Sequence, residues 1–400
     1  MKEIDIPDGW KKVKLKDVIK EVNQRNKGEK VKRVLSVTNS RGFVSQDEYF
    51  EGTVHSANIA NYKIVRKNQF AYNPSRVNVG SIDILKDYED GALSPMYVVF
   101  EVDTTELLPE YFKYYFQTNR FYENVKNNTQ GSVRNSLSFK ALSNFDYLLP
   151  PIEEQERIVK ILGNIDFIIN KLYKEIIENE KIIEYIFNIA VKRYKTESIK
   201  IKKIVEYKKG YAFKSKEYKN KGCRVIRVSD LGEKYIKDEC EKIFIDDFQK
   251  NIFQDYELKE NDLIITTVGS KPPIYSSIAG RVIRVDKYHE GCLLNQNTVR
   301  LRTNKRILPR ILYYQLRTKK YYDYLDIIMR GNANQGNITI AELLDYEVKI
   351  VSQDLQRKLE NALKNIENTV QCMNEKIKQY EKLRKGLMQQ LLTGKVKVNV

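Results

Sequence analysis

Pro150-Pro151-Ile152-Glu153-Glu154-Gln155-Glu156-Arg157-Ile158-Val159-Lys160-Ile161-Leu162 begins the stretch on which the reading of this chain turns. The carboxylates at 153 and 154 fall in a first helical turn, where the helix dipole favours negative charge. Beyond them Ile158, Leu162, Ile165, Ile169, Leu172, Ile176, Asn179, Ile183, Ile186 and Ala190 recur at steps of four and three. That is a heptad seam with one polar interruption, at Asn179. No glycine or proline follows Gly163 before Lys195. The spacing therefore predicts one helix from Pro150 to Lys195, about 40 residues and roughly 60 Å long. Such a seam needs a partner, and the chain supplies one. From Leu355 to Leu391, Leu359, Leu363, Ile366, Val370, Met373, Ile377 and Tyr380 keep the same rhythm, which shortens at Leu383 and resumes at Leu387 and Leu391.

The interval between these helices exposes an internal repeat of about half the chain. Leu108-Pro109-Glu110-Tyr111-Phe112-Lys113-Tyr114-Tyr115 reappears as Leu308-Pro309-Arg310-Ile311-Leu312-Tyr313-Tyr314-Gln315. Gly131 to Leu137 aligns, with one gap, with Gly331 to Ile338, and Val34-Leu35-Ser36-Val37 with Val225-Ile226-Arg227-Val228. Each half reads as a globular stretch followed by a long helix. The globular contents diverge more than the frame, as expected of two similar modules with different specificities.

Four hundred residues, 42% hydrophobic, suffice for two domains with real cores. A formal net charge of +17 and a pI near 9.3 point to a polyanionic partner. Between Ile152 and Lys195 eight basic and eight acidic residues cancel, as suits a packing helix. Between Gln353 and Lys397 ten basic residues face five acidic ones. Most of the excess therefore lies in the globular modules, which is where nucleic acid is expected. Cys223, Cys240, Cys292 and Cys372 form neither a zinc knuckle nor a disulfide framework. Met1 to Trp10 is polar, with no signal peptide, and no apolar run reaches membrane-spanning length. The expectation is a cytoplasmic protein without a membrane partner.

Within the first module, Trp10 to Val22 reads as a strand and a short helix, and Val31 to Val37 as a second strand ending in a turn at Asn39-Ser40-Arg41-Gly42. The runs from Tyr62 to Arg76, Gly80 to Ile82 and Gly91 to Phe100 are short and β-rich, separated by Gly, Pro, Asn and Ser turns, as in a curled sheet. The second copy gives Ile199 to Val205, Cys223 to Val228, Leu258 to Thr267, Gly280-Arg281-Val282 and Leu294 to Val299. An aromatic-rich helix follows each sheet, Tyr111 to Tyr122 and Ile311 to Leu325, its rings expected in the core. Polar glycine loops at 127–135 and 330–337 lead into a last strand and the long helix.

This order of motifs resembles the specificity subunit of type I DNA restriction–modification systems. The resemblance is carried by Phe70-Ala71-Tyr72-Asn73-Pro74 with Gly91-Ala92-Leu93-Ser94-Pro95, by Leu149-Pro150-Pro151-Ile152-Glu153-Glu154-Gln155 with Arg157-Ile158-Val159, and by the closing run Leu383 to Lys395. It covers essentially the whole chain. The second copy departs from it, having Ile350-Val351-Ser352-Gln353-Asp354-Leu355-Gln356 where the first has Pro-Pro-x-Glu-Glu-Gln. The resemblance implies an α+β chain: two pseudo-repeated target-recognition domains, curled mixed sheets with helices, held apart by two long antiparallel coiled-coil helices. The expected divisions are 1–150 and 198–351 for the recognition domains, and 151–197 and 352–400 for the spacer helices. It further implies a split asymmetric site on double-stranded DNA, two docked adenine methyltransferase subunits, added restriction/translocase subunits, and no active site or cofactor in this chain.

The residues themselves offer little chemistry. Asn73-Pro74-Ser75-Arg76 lacks the second proline and the stacking aromatic of an N6-adenine methyltransferase motif, and no glycine-rich loop suits S-adenosylmethionine. Glu347-Val348-Lys349 has a nuclease-like spacing but is better explained by surface strand pairing. His55 and His289 are the only histidines, which leaves triads and histidine metal sites nearly excluded. Affinity for DNA comes from cations on phosphates, and sequence is read by Arg or Lys on guanine and Asn or Gln on adenine. The candidate contacts are Arg41, Asn73, Ser75, Arg76, Gln130, Ser132, Arg134 and Asn135 in the first module. In the second they are Thr267, Ser270, Lys271, Tyr275, Gln296, Arg330, Asn332, Asn334 and Gln335. The bland alternative for each is a turn residue satisfying its own backbone. Competing functions are a helical scaffold with protein-binding modules, or the recognition part of a split methyltransferase or nuclease of another restriction class.

Overall fold

The computed structural model describes residues 6–49, 58–129, 136–271, 277–332 and 335–398. The chain divides into two units. The first takes Met1–Tyr173 and Asn374–Val400, the second Lys174–Met373. Both divisions fall inside the long helices, Ile152–Arg193 and Gln353–Leu391, so each unit owns half of each.

The repeat seen in sequence is a repeat of topology. In the first unit a four-stranded antiparallel sheet runs in the order Ile19–Val22, Val98–Val102, Phe70–Tyr72, Ile82–Ile84. In the second the order is Val205–Lys209, Thr298–Thr303, Leu263–Thr266, Val282–Arg284, again antiparallel throughout. The registers correspond: Phe70 lies between Phe100 and Ile84, and Leu263 between Leu301 and Arg284. Each unit pairs its first strand with its last, Lys11–Lys14 with Asp146–Leu149 and Glu197–Lys200 with Glu347–Ile350, just before the long helix begins. That pairing accounts for Glu347-Val348-Lys349: Glu347 Oε2 accepts from the Ser198 hydroxyl at 3.0 Å. A parallel pair, Cys223–Ile226 with Leu293–Leu294, makes the second unit's sheet content mixed.

Most aromatic residues of the post-sheet helices are core, as expected. Phe70 stacks on Phe100 at 5.2 Å, and Phe112 and Phe116 meet Phe70 edge-on. The second unit fills the same space with Leu263, Ile265, Val299, Leu301 and Leu312. Four local readings need correction. The one helix expected after each sheet is two, Pro109–Tyr115 with Asn119–Thr129 and Pro309–Gln315 with Lys319–Ile328. Trp10 to Val22 is a strand, one 3-10 turn and a second strand, because Lys14 N–H and Asp17 close the turn at 3.0 Å and Ile19 then joins the sheet. Ile199 to Val205 breaks in the same way. The strand expected at Val31 to Val37 is Leu35–Thr38.

The long helix spans 42 residues where about 40 were expected. Ile158, Leu162, Ile165 and Ile169 are buried in the first unit and Ile183, Phe187 and Ala190 in the second. Asn179, the polar break, donates to Glu175 O one turn back at 2.8 Å. In the first unit the helices run antiparallel: Arg157 reaches Val398 O at 3.1 Å, Asp166 meets Arg384 at 2.5 Å and Tyr173 meets Glu381 at 3.3 Å. The seam shifts near its end. Leu383 is 49% exposed, and Arg384 faces inward in its place because Asp166 waits there.

Gly80 and Gly280 hold one position of the repeat in left-handed conformation, at φ +97° and +86°. A Cβ on Gly280 would lie 2.6 Å from both methyls of the fully buried Leu325, whereas on Gly80 the nearest atom is 3.3 Å away. Gly280→Ala should therefore cost about 3 kcal/mol, conformational strain plus overpacking, and Gly80→Ala only about 1–2 kcal/mol. Urea unfolding of the two variants checks the difference.

Candidate nucleic-acid interface

In the second unit, loops far apart in sequence meet on one small sheet. Val268–Gly269 pairs with Gln335–Asn337, which pairs with Arg330–Asn332. Thr267 enters this ladder through one backbone bond, its carbonyl accepting from Ile338 N–H at 3.0 Å, while its own N–H donates outside the ladder to Asn297 O at 2.8 Å. Thr267, Ser270, Lys271, Arg330, Asn332 and Gln335 are thereby brought together, although the side chains of Asn332 and Gln335 lie outside the described residues, as do Tyr275 and Asn334. Glycine makes the close approach possible. A Cβ on Gly336 would lie 2.5 Å from the Met329 sulfur and 3.2 Å from the Lys271 stem.

Arg330 is exposed and pairs with Glu342 at 2.6 Å. The Thr339 hydroxyl, followed by Arg330, holds the Glu342 carboxyl below its ordinary value. An exposed pair of this kind is worth at most about 1 kcal/mol, so a phosphate can take the arginine from its carboxylate. Ser270 is buried, its hydroxyl 2.9 Å from that of Ser277. Both line a hollow of about 670 Å³ beside the ladder, together with Ser229, Lys237 and Arg281. Arg281 is only 6% exposed, and burial pushes its guanidinium below the usual arginine range against the opposing pull of Glu233. Sequence reading missed Arg281 and Lys237. The triplet Gly280-Arg281-Val282 reads as the start of a strand, and nothing local marks its cation as facing a cavity.

Gln296 lies apart, on an exposed turn where its N–H donates to Asn295 Oδ1 at 2.8 Å. It lines a separate hollow of about 430 Å³ with Lys208, Tyr211 and Tyr256. Lys208 sits 4.9 Å from the Tyr256 ring centre and 2.7 Å from Asp255.

In the first unit the turn after Phe70–Tyr72 presents Ser75 and Arg76 to solvent. Asn73 is buried, and its side-chain oxygen accepts from Ser75 N–H at 3.0 Å, which is the behaviour of a turn residue. Two bonds bring the segment after residue 135 beside this turn: Leu137 N–H to Pro74 O at 3.0 Å and the Tyr72 hydroxyl to Leu137 O at 3.1 Å. Gln130, Ser132, Arg134 and Asn135 themselves lie outside the described residues. Arg41 tips the hairpin formed by Leu35–Thr38 and Gly42–Ser45, its N–H held by the Thr38 hydroxyl at 3.0 Å. The Ser81 hydroxyl donates to Val37 O at 2.6 Å, tying this hairpin to the 73–81 turn. Arg41, Ser75 and Arg76 thus share one end of the module.

Among the described residues no cluster of three or more His, Cys, Asp or Glu is placed to hold a metal ion. No helix among them is long and apolar enough to cross a membrane.

A family model described as the type I restriction modification DNA specificity domain matches residues 7–179 and again 194–382. The chain is similar to the MjaVIII specificity subunit of a type I restriction enzyme from Methanocaldococcus jannaschii, at 25% identity over 100% of this chain and 95% of that protein. It is 23% identical to the putative MjaX specificity subunit of the same organism, over 98% of this chain and 95% of that one. Its fold is similar to the S subunit of a type I restriction–modification system from M. genitalium, with a TM-score of 0.54 at 13% identity, covering 100% and 98% of the two chains. A chain from a structural study of type I restriction–modification complex assembly and conformational transition gives 0.52 at 15% identity, covering 98% and 100%.

Proposed function

Because the chain belongs to the type I restriction–modification DNA specificity family, we propose that each module reads one half of a split, asymmetric site on double-stranded DNA. The chain is a recognition subunit and not itself an enzyme. The observation that carries the bipartite reading is the duplication: one strand order, built twice in one chain with different loops at the reading end. Two unlike readers on one chain call for two unlike half-sites. The divisions 1–150, 151–197, 198–351 and 352–400 serve in this reading as reader, spacer, reader and spacer.

Chemistry is supplied by others: two adenine methyltransferase subunits on the helical frame, and restriction/translocase subunits that join them. In the first module Arg41, Ser75 and Arg76 face the duplex, with Gln130, Ser132, Arg134 and Asn135 following in the adjoining segment. In the second the ladder bearing Thr267, Lys271, Arg330, Asn332 and Gln335 does so, with Arg281 beneath it. The basic excess supports this over a protein-binding scaffold, which has no use for a charge of +17.

Long-read methylation mapping in cells with and without the gene tests the function. The expected result is one motif, two short half-sites flanking an unspecified gap, that vanishes with the gene. A contiguous motif would contradict it. At residue level, Arg76→Ala should relax one position of one half-site, and Arg330→Ala one position of the other, each losing about 1–3 kcal/mol of discrimination. Uniform weakening with a reduced salt slope would instead mark a phosphate contact.

A further inference from the structure

Each Leu-Pro helix of the repeat is pinned to its long helix at two points, and the points correspond. At the first, a buried glutamine closes the loop in front of the short helix. Gln155 accepts from Leu108 N–H at 2.8 Å and donates to Glu106 O at 2.8 Å and Pro150 O at 2.9 Å. Gln356 accepts from Leu308 N–H at 2.9 Å and donates to Arg306 O at 2.9 Å and Val351 O at 3.0 Å. At the second, eleven residues along the long helix, a carboxylate accepts a hydrogen bond from a tyrosine hydroxyl. Tyr114 donates to Asp166 at 3.0 Å, and Tyr314 to Glu367 at 2.8 Å. Burial, then the facing carboxylate, raises both phenols well above the ordinary tyrosine range, so each stays a donor.

The supporting cations differ. Asp166 takes Arg384 from the closing helix, which also reaches Gln117 at 2.9 Å. Glu367 takes Arg284 at 2.8 Å and Arg310, both from the module. One geometry is thus kept while the acid and its cations change. Apolar packing between module and helix is not directional and tolerates small slides. Hydrogen bonds weaken steeply with distance and angle. Two of them, three turns or roughly 16 Å apart on a rigid helix, define both position along it and tilt.

We infer that these paired anchors are a registry device: Gln155, Tyr114 and Asp166, with Gln356, Tyr314 and Glu367, set the angle of each module on its helix and so the gap between half-sites that the complex accepts. The inference rests on the bipartite reading above. These are positioning residues, outside the loops that present Arg76 and Arg330.

The test is the complex with its methyltransferase subunits, acting on a plasmid library in which the two half-sites are separated by the native gap or by one or two base pairs more or fewer. The double variant Tyr114→Phe, Tyr314→Phe removes one hydroxyl per module and leaves packing intact. It should recognise the same half-sites, while its preference for the native gap over a gap one base pair longer falls about fivefold or more, the scale of one lost charge-assisted hydrogen bond. Asp166→Asn with Glu367→Gln, measured alongside, should shift the same ratio in the same direction. An unchanged ratio, or equal losses at every gap, overturns the inference while leaving the bipartite reading intact. A wild-type complex indifferent to the gap would overturn both.

Discussion

Gln356→Leu should lower the unfolding midpoint of the second unit by about 10 °C. Gln356 is 1% exposed and lies between the two strands of chain that it joins. Leucine is close to it in volume but leaves the Leu308 N–H and the Val351 carbonyl without their side-chain partner, while the Arg306 carbonyl keeps only its 3.0 Å bond from Gln353. A buried polar group left unsatisfied costs about 1–3 kcal/mol, and the added apolar burial returns roughly 1 kcal/mol. With two groups unsatisfied the net loss is about 2–4 kcal/mol, large beside the 5–15 kcal/mol that holds a domain together. Gln155→Leu should do the same to the first unit. Scanning calorimetry of the two variants checks both: each should move one transition and spare the other. A shift below about 1 kcal/mol in either would show that water replaces the amide and that these bonds do not organise the fold.

The second large effect concerns function. Removing one heptad from the middle of each long helix, residues 172–178 and 370–376, shortens each by about 10 Å while keeping the seam in phase to about 20°. On B-DNA that length is about three base pairs, so the gap preferred by the complex should fall by about three, with half-site sequences unchanged. Three base pairs also turn the duplex by roughly 100°, against 20° for the helices, so methylation should weaken even at the best gap. Deleting the heptad from one helix alone throws the seams out of step and should abolish methylation. Methylome sequencing reads all three outcomes. An unchanged gap after the double deletion would mean that something other than helix length sets it.

The repeat was legible because Leu-Pro opens a helix in both copies and fixes the frame for everything around it. The seam was legible because its apolar spacing is local. What escaped was long-range. The segment from Ile350 to Gln356 puts Gln356 at the place of Gln155, but with the prolines of the first copy missing nothing in it announces that the same three bonds are kept. The inward turn of Arg384 depends on Asp166, a contact across 218 residues of chain. The ladder that gathers Lys271, Arg330 and Gln335 depends on Gly269 facing Gly336, a pairing invisible from either loop alone. Arg281 was passed over because a cation beside a glycine turn ordinarily points to water, and this one is buried.

The first unit is assembled from both ends of the chain. Leu15, Phe112, Ile158 and Leu162 share its core with Met388 and Leu391, and Lys397 reaches Asp8 at 3.0 Å. The second unit is one uninterrupted span. A ribosome adding about 5–20 residues per second delivers everything the second unit needs while the first still lacks its closing helix. The part made earliest is therefore finished latest, and for that interval a nascent chain carries an open apolar seam that chaperones are suited to cover.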